Sequence, residues 1–235
     1  MRRVLLLQVG HTFEDIARLR GDYDRWFQQG LGLGEDELQV CRVFEGAPLP
    51  TRLDYDGVVV TGSWAMVTDR EPWSEACGAY LREATTRSVP VLGVCYGHQL
   101  LAHALGGQVG YNPTGRHAGT ARIELTRAAH GDALLGGLPD ELLVQVSHSQ
   151  VVLDLPAEAV LLARCERDPR HAFRVGSCAW GVQFHPEFDA DVSRRYIELR
   201  YDTIAAEGLD PEALLAGVQE SEHGREILRR FAALL

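Results

Sequence analysis

The sequence contains no lysine, and all 23 basic residues among its 235 are arginine. A lysine Schiff base is therefore excluded, and with it ordinary pyridoxal-phosphate and class I aldolase chemistry. The G-x-x-x-x-G-K-[ST] phosphate loop is excluded for the same reason, so no recognisable means of activating a substrate with ATP is present. Long apolar runs are missing too. None approaches the ~20 residues of a membrane helix. The N-terminal Met1-Arg2-Arg3 and the apolar run from Val4 to Val9 are too short for a signal peptide and read as a first strand. The five cysteines, at 41, 77, 95, 165 and 178, form no C-x-x-C pair and are odd in number. That argues against a zinc site or a disulfide framework and for reduced thiols in a cytoplasm. No two histidines stand at i, i+4, so a helical two-histidine metal site is not expected. Positive charge is scarce: 33 acidic residues face 23 basic ones, a net of −10. This disfavours nucleic acid or an anionic membrane as partner, and solubility is reason enough for it.

What is present fits one large α/β domain, since 235 residues with 46% hydrophobic content can bury a sizeable core. Strands are expected at Val4–Val9, Leu38–Phe44, Gly57–Thr61 and Val89–Val94. Helices are expected over 14–29 (with Ile16, Leu19, Tyr23, Trp26 and Phe27 on one side), over Trp73–Arg87 and over Gly97–Leu105. Continuous β-branched runs alternating with helices predict a parallel sheet covered on both faces. Beyond residue 120 come short strands with turn-rich links, at Thr120–Leu125, Leu142–Val146, Val160–Ala163, Ala172–Val175 and Ala179–Phe184, an antiparallel addition to the sheet. A helix over 190–206 follows. Asp210-Pro211 starts a last helix, broken near Gly224. The expected organisation is a single domain over 1–235, with a catalytic core to about residue 206 and a helical extension over 210–235.

The informative segment is Pro90-Val91-Leu92-Gly93-Val94-Cys95-Tyr96-Gly97-His98-Gln99. A strand runs into G-x-C-x-G and then a helix. Glycines two residues either side of a central residue permit a sharp strand-to-helix turn that exposes the central side chain as a nucleophile. Here that residue is a cysteine at a helix N-terminus, where the dipole and free N–H groups favour a thiolate. The N–H of Tyr96 would be one oxyanion donor. The other four cysteines lack such a setting.

A thiolate nucleophile needs a histidine, and that histidine needs an acceptor. Gln183-Phe184-His185-Pro186-Glu187 ends an apolar strand. Proline stops the strand, and the carboxylate two residues beyond the imidazole can share its side of an extended segment. His98, three residues after Cys95, competes as base, but its place in the first helical turn directs it away. His103, His117, His130 and His223 have no partner pattern and read as surface or packing residues.

These two motifs, in this order, resemble class I glutamine amidotransferases, and among them the GMP-synthase-like glutaminases that occur as stand-alone chains. The likeness spans the first strand to about residue 206. It implies a three-layer α/β/α sandwich around a mostly parallel, flavodoxin-like sheet. It also implies attack of Cys95 on the side-chain amide of glutamine, with His185 and Glu187 completing a triad and no cofactor. By the same resemblance Gly62 and Ser63, in the loop after the third strand, supply the second oxyanion donor. Many relatives have Gly-Gly-Pro there, so Ser63 occupies a glycine position. Gln99 lines the substrate pocket, and Ser147 and His148 hold the α-amino and α-carboxylate groups. Relatives often carry an acidic residue two places after that histidine, where Gln150 stands. Relatives that make GMP continue into a Ser-Gly-Gly phosphate-loop domain. No such sequence occurs, so the chain is not expected to make GMP alone.

Three readings follow: a glutaminase passing ammonia to a separate synthetase and gated near Gly62-Ser63, a self-sufficient hydrolase of γ-glutamyl amides or peptides, and a non-catalytic module. Intact Cys95, His185 and Glu187 argue against the third.

Overall fold

The computed structural model describes residues 2–235. Nine strands form one sheet in the order β2-β1-β3-β4-β11-β10-β9-β6-β7. The parallel half is β2 (Leu38–Arg42), β1 (Val4–Gln8), β3 (Gly57–Val60), β4 (Val91–Val94) and β11 (Ala179–Val182). The antiparallel half is β10 (Ala172–Val175), β9 (Ala159–Arg164), β6 (His117–Leu125) and β7 (Glu141–His148). The expected antiparallel addition is therefore joined edge to edge onto the parallel sheet. A separate two-stranded sheet, β5 (Gln108–Tyr111) with β8 (Gln150–Asp154), was not anticipated. Its first strand is too short and too glycine-interrupted to show a period.

Alternate residues of the central strands serve the two faces, as a sheet buried on both sides requires. Val4 and Leu6 of β1 join a core with Val59, Leu92, Trp180 and Val182, covered by α2 (Tyr23–Leu31), α5 (Ala190–Leu199) and α8 (His223–Ala233). Leu5 and Leu7 face the opposite way, into a core with Val58, Val60 and Val91 under α3 (Pro72–Thr86) and α4 (Tyr96–Ala104). Helices on both faces of the sheet make three layers, the fold expected from the sequence.

The helix expected over 14–29 is two helices, α1 (Glu14–Arg20) and α2. Gly21 at φ 84° ends the first, and Asp22 accepts from the Tyr23 N–H to start the second. The apolar spacing runs across this break, so periodicity alone could not reveal it. Leu19, expected on the buried side, is 71% exposed. The helix expected over 190–206 likewise divides at Arg200, into α5 and α6 (Tyr201–Ala206). Beyond it α7 (Pro211–Gly217) is capped by Asp210, whose carboxylate accepts from the N–H groups of Glu212 and Ala213. The break expected near Gly224 lies earlier, between α7 and α8. Gly224 falls in the first turn of α8, where a Cβ would stand 2.7 Å from the Pro186 carbonyl oxygen. The C-terminal helix thus packs directly on the His-Pro-Glu turn.

Phe231 of α8 is fully buried and meets Trp180 edge-on at 6.2 Å. Phe231→Ala should cost about 3–5 kcal/mol through lost burial and an unfilled cavity, whereas Leu19→Ala should stay within about 0.5 kcal/mol. Urea denaturation midpoints check this. Equal small effects would show that α8 does not belong to the cooperative unit.

Candidate active site

The C-terminal ends of β1, β3, β4 and β11 converge, the edge where open α/β sheets place their ligands. Cys95 stands at the end of β4 with φ 52° and ψ −100°. Among the described residues only Arg70, Ser88 and Cys95 have positive φ without being glycine. The turn is pinned on both sides. The Cys95 N–H donates to the Val182 carbonyl at 2.9 Å, and the Gly97 N–H donates to the Thr61 carbonyl at 3.2 Å. The flanking glycines are steric requirements. A Cβ on Gly97 would lie 2.6 Å from the Val60 carbonyl oxygen, and one on Gly93 would overlap the Gly97 carbonyl. The Cys95 thiol, 5% exposed, points to the Ser147 carbonyl at 3.9 Å and heads helix α4.

His185 follows β11 and is anchored by its N–H to the Gln145 carbonyl at 2.8 Å. Its Nδ1–H donates to Glu187 Oε1 at 2.7 Å, and the Glu187 side chain is wholly buried. Phe188 stacks on the imidazole, 4.1 Å between centroids at 14°, which fixes the ring plane. A Cβ on Gly62 would come within 2.8 Å of His185 Cε1, so only glycine fits beside the ring. Burial opposes a charge on His185. The Glu187 carboxylate and the charge and hydrogen bonding of Cys95 outweigh it, and the imidazole is raised to about 10. His98 shows the opposite balance: fully buried against Phe173, it is lowered to about 3 by burial. It packs under the sheet, away from the thiol, in line with its expected orientation.

Cys95 and His185 open into a common cleft. Ser63, Tyr96, Gln99, Ser147 and His148 line the same cleft. Gly62 touches it through His185, and Glu187 lies behind. The nine residues singled out from sequence are thus brought together. Ser63 Oγ donates to the Val9 carbonyl at 2.6 Å and accepts from the Ala65 N–H at 3.1 Å, so its side chain ties the β3 loop to the end of β1. The Gln99 amide donates to the Gln150 carbonyl at 2.7 Å and to Gln183 Oε1 at 3.0 Å. The Gln150 amide is itself held by Thr68 Oγ1 at 2.6 Å.

Sequence reasoning missed a further part of the lining. Trp64 stacks on Tyr196 at 5.6 Å and 10°, and the Arg200 guanidinium lies 4.0 Å over the Trp64 ring. Arg116 is held by Glu207 at 2.6 Å, whereas Arg200 makes no carboxylate pair among the described residues. Burial, and then Arg116, lower Arg200 to about 10. No sequence signal marked Arg200, because the division between α5 and α6 at which it stands interrupts a segment that reads as one helix. Of the histidines set aside, His103 pairs with Glu75, His130 with Asp140, and His223 contacts the Leu143 carbonyl. His117 does not stand alone: its ring lies 5.4 Å from that of His148.

A family model for class-I glutamine amidotransferase matches residues 37–201. A chain of the glutamine-hydrolysing GMP synthase of Methanopyrus kandleri, named as one subunit of that enzyme, is 34% identical over 160 residues, covering 65% of this chain and 80% of that one. Gamma-glutamyl peptidase 5 of Arabidopsis thaliana is 29% identical over 181 residues, covering 75% of this chain and 72% of that one. The crystal structure of a glutamine amidotransferase from Thermotoga maritima superposes with a TM-score of 0.73 at 25% identity, covering 99% and 97% of the two chains. Other curated relatives, glutamine-hydrolysing GMP synthases, are far longer: the chain spans 18% of the one from Aeropyrum pernix and 28% of the one from Porphyromonas gingivalis. No described helix is long and apolar enough to cross a membrane.

The His185–Glu187 geometry fixes a pH dependence. The folded value, about 10, lies above the ordinary 6.5. The stability this pair contributes is therefore complete below pH ~6.5 and lost as pH rises through about 10. Histidine NMR should find the His185 ring titrating far above the ordinary 6.5, and Glu187→Gln and Cys95→Ala should each move that titration down. A His185 midpoint near 6.5 in the unaltered protein would contradict this balance.

Proposed function

The chain belongs to the class I glutamine amidotransferase family, and on that footing we propose that it hydrolyses the side-chain amide of glutamine through a thioester on Cys95 and releases ammonia. The reading is carried by a thiol held at positive φ on a helix N-terminus, facing a histidine that is itself held by a buried carboxylate. His185 takes the thiol proton and Glu187 balances the resulting imidazolium. The thiolate adds to the amide carbon, and the oxyanion is met by the Tyr96 N–H and by the Gly62-Ser63 backbone. His185 then returns the proton to the departing nitrogen, and ammonia leaves. Water deprotonated by His185 cleaves the thioester and frees glutamate. Gln99, Ser147 and His148 line the side where the substrate's α-amino and α-carboxylate groups would lie. Arg200, which has no carboxylate partner of its own, is suited to receive that carboxylate. In this reading the ammonia is taken up by a synthetase on a separate chain, as the match to one chain of a multi-chain GMP synthase suggests, and the five unpaired cysteines suit a reducing cytoplasm.

A second reading, hydrolysis of γ-glutamyl peptides, shares every step and differs in the leaving amine. It is supported by the 29% identity over 72% of a gamma-glutamyl peptidase, beside the 34% over 80% of the GMP synthase subunit.

Ammonia and glutamate release from glutamine, and amine release from γ-glutamyl dipeptides, should be followed with the lone chain and again with candidate synthetases. Cys95→Ala should abolish turnover, and His185→Ala should cost ~10²–10⁴-fold in kcat/KM. Glu187→Gln should cost less, because the imidazole is then misoriented rather than missing. Slow glutamine turnover that rises with a partner supports the amidotransferase reading. Brisk peptide cleavage with glutamine ignored supports the second. Greater damage from His98→Ala than from His185→Ala would overturn both.

A further inference from the structure

Next to His148, outside the cleft, lies a second cluster. Ring centroids are 5.4 Å apart for His117 and His148, 6.0 Å for His148 and His171, and 6.3 Å for His117 and His171. Cys165 joins them: one side-chain atom each from His117, Cys165 and His171 lies within 4.8 Å of the other two. His117 opens β6, Cys165 follows β9, and His171 precedes β10. The link between β9 and β10 is closed by the Cys165 N–H donating to the Asp168 carbonyl at 2.9 Å, which turns the thiol and His171 toward the same point.

Their polar atoms are unusually idle. Both ring nitrogens of His171 and of His148, and Nδ1 of His117, are buried without a hydrogen-bond partner, as is Asp168 Oδ2. His171 is 0% exposed and His148 4%. Buried polar groups are nearly always paired, so this many orphans in one place calls for a cause. No step of the proposed reaction uses His117, Cys165 or His171, and none of them lines the cleft.

We propose that His117, Cys165 and His171 bind one divalent transition-metal ion of the zinc type. Three atoms no more than 4.8 Å apart all lie within about 2.8 Å of a common point. Zinc bonds of about 2.0–2.1 Å to nitrogen and 2.3 Å to sulfur require each atom to close in by well under about 1 Å. Two imidazoles and a thiolate select zinc-like ions over magnesium or calcium, which take oxygen. Three protein ligands leave a fourth position for water or for His148, the imidazole packed against both histidine ligands. Asp168 Oδ2, 3.9 Å from His148 Nε2, places a buried carboxylate oxygen without a hydrogen-bond partner at the edge of the cluster. His117 and Cys165 are only half-buried, which gives the ion a way in. The bound ion would tie β6, β9 and β10 together beneath Ser147 and His148, and so stiffen one wall of the cleft.

Cobalt(II) is the probe, because a cobalt–thiolate bond shows a charge-transfer absorption. The titration belongs in a Cys95→Ala background, so that the cleft thiol cannot contribute. One equivalent of cobalt should bind with that band, be displaced by zinc, and lose the band when Cys165→Ser is added. His117→Gln, at a half-buried strand end, should weaken cobalt binding at least about tenfold and serves if the cysteine variant does not fold. No band in the Cys95→Ala protein, a band that survives Cys165→Ser, or unchanged affinity in His117→Gln would overturn the site. Because the readout is spectroscopic, its failure leaves the amide-hydrolase reading untouched.

Discussion

The molecule is organised around a backbone conformation that a cysteine does not adopt freely. Holding Cys95 at φ 52° costs on the order of 1–3 kcal/mol, and the surrounding sheet supplies the compensation. The elbow's two N–H groups are bound to the carbonyls of Val182 and Thr61, one on each side of β4. Gly93 and Gly97 let helix α4 and strand β3 close to backbone contact. Those same bonds set where β11 and the β3 loop end, and hence where His185, Gly62 and Ser63 stand. The Cys95 thiol, the His185 imidazole and the Gly62-Ser63 loop are thus positioned by one constraint.

Electrostatics then separates histidines that burial alone would treat alike. Desolvation lowers His98, His148 and His171. His185 is equally enclosed and moves up, because a buried carboxylate touches its ring at 2.7 Å. The contrast traces to Glu187 and Cys95, which together raise His185, whereas burial lowers the other three. Glu187 is kept in place by the Pro186 turn, and the C-terminal helix packs on that turn through Gly224. A helix outside the matched residues 37–201 therefore supports the site from behind.

The parallel half of the sheet was legible because β1, β3 and β4 are unbroken apolar runs, and the elbow at Cys95 because its two glycines mark a turn no ordinary helix start needs. His185 and Glu187 could be read from a strand ended by proline. The break at Gly21 was hidden because Ile16, Tyr23 and Phe27 keep helical spacing across it. Trp64, Tyr196 and Arg200 carry no motif and meet only through tertiary packing. His117, Cys165 and His171 were invisible for a related reason: metal-site patterns are recognised by short spacing, and here the antiparallel strand order, not proximity in the chain, assembles the cluster.

The central claim, that Cys95 alone among five thiols is the nucleophile, is tested most directly with a diazo-ketone analogue of glutamine followed by peptide mass mapping. The account predicts a single adduct, on Cys95, suppressed by excess glutamine or a γ-glutamyl substrate. An adduct chiefly on Cys41, Cys77, Cys165 or Cys178, or none on Cys95, would contradict it.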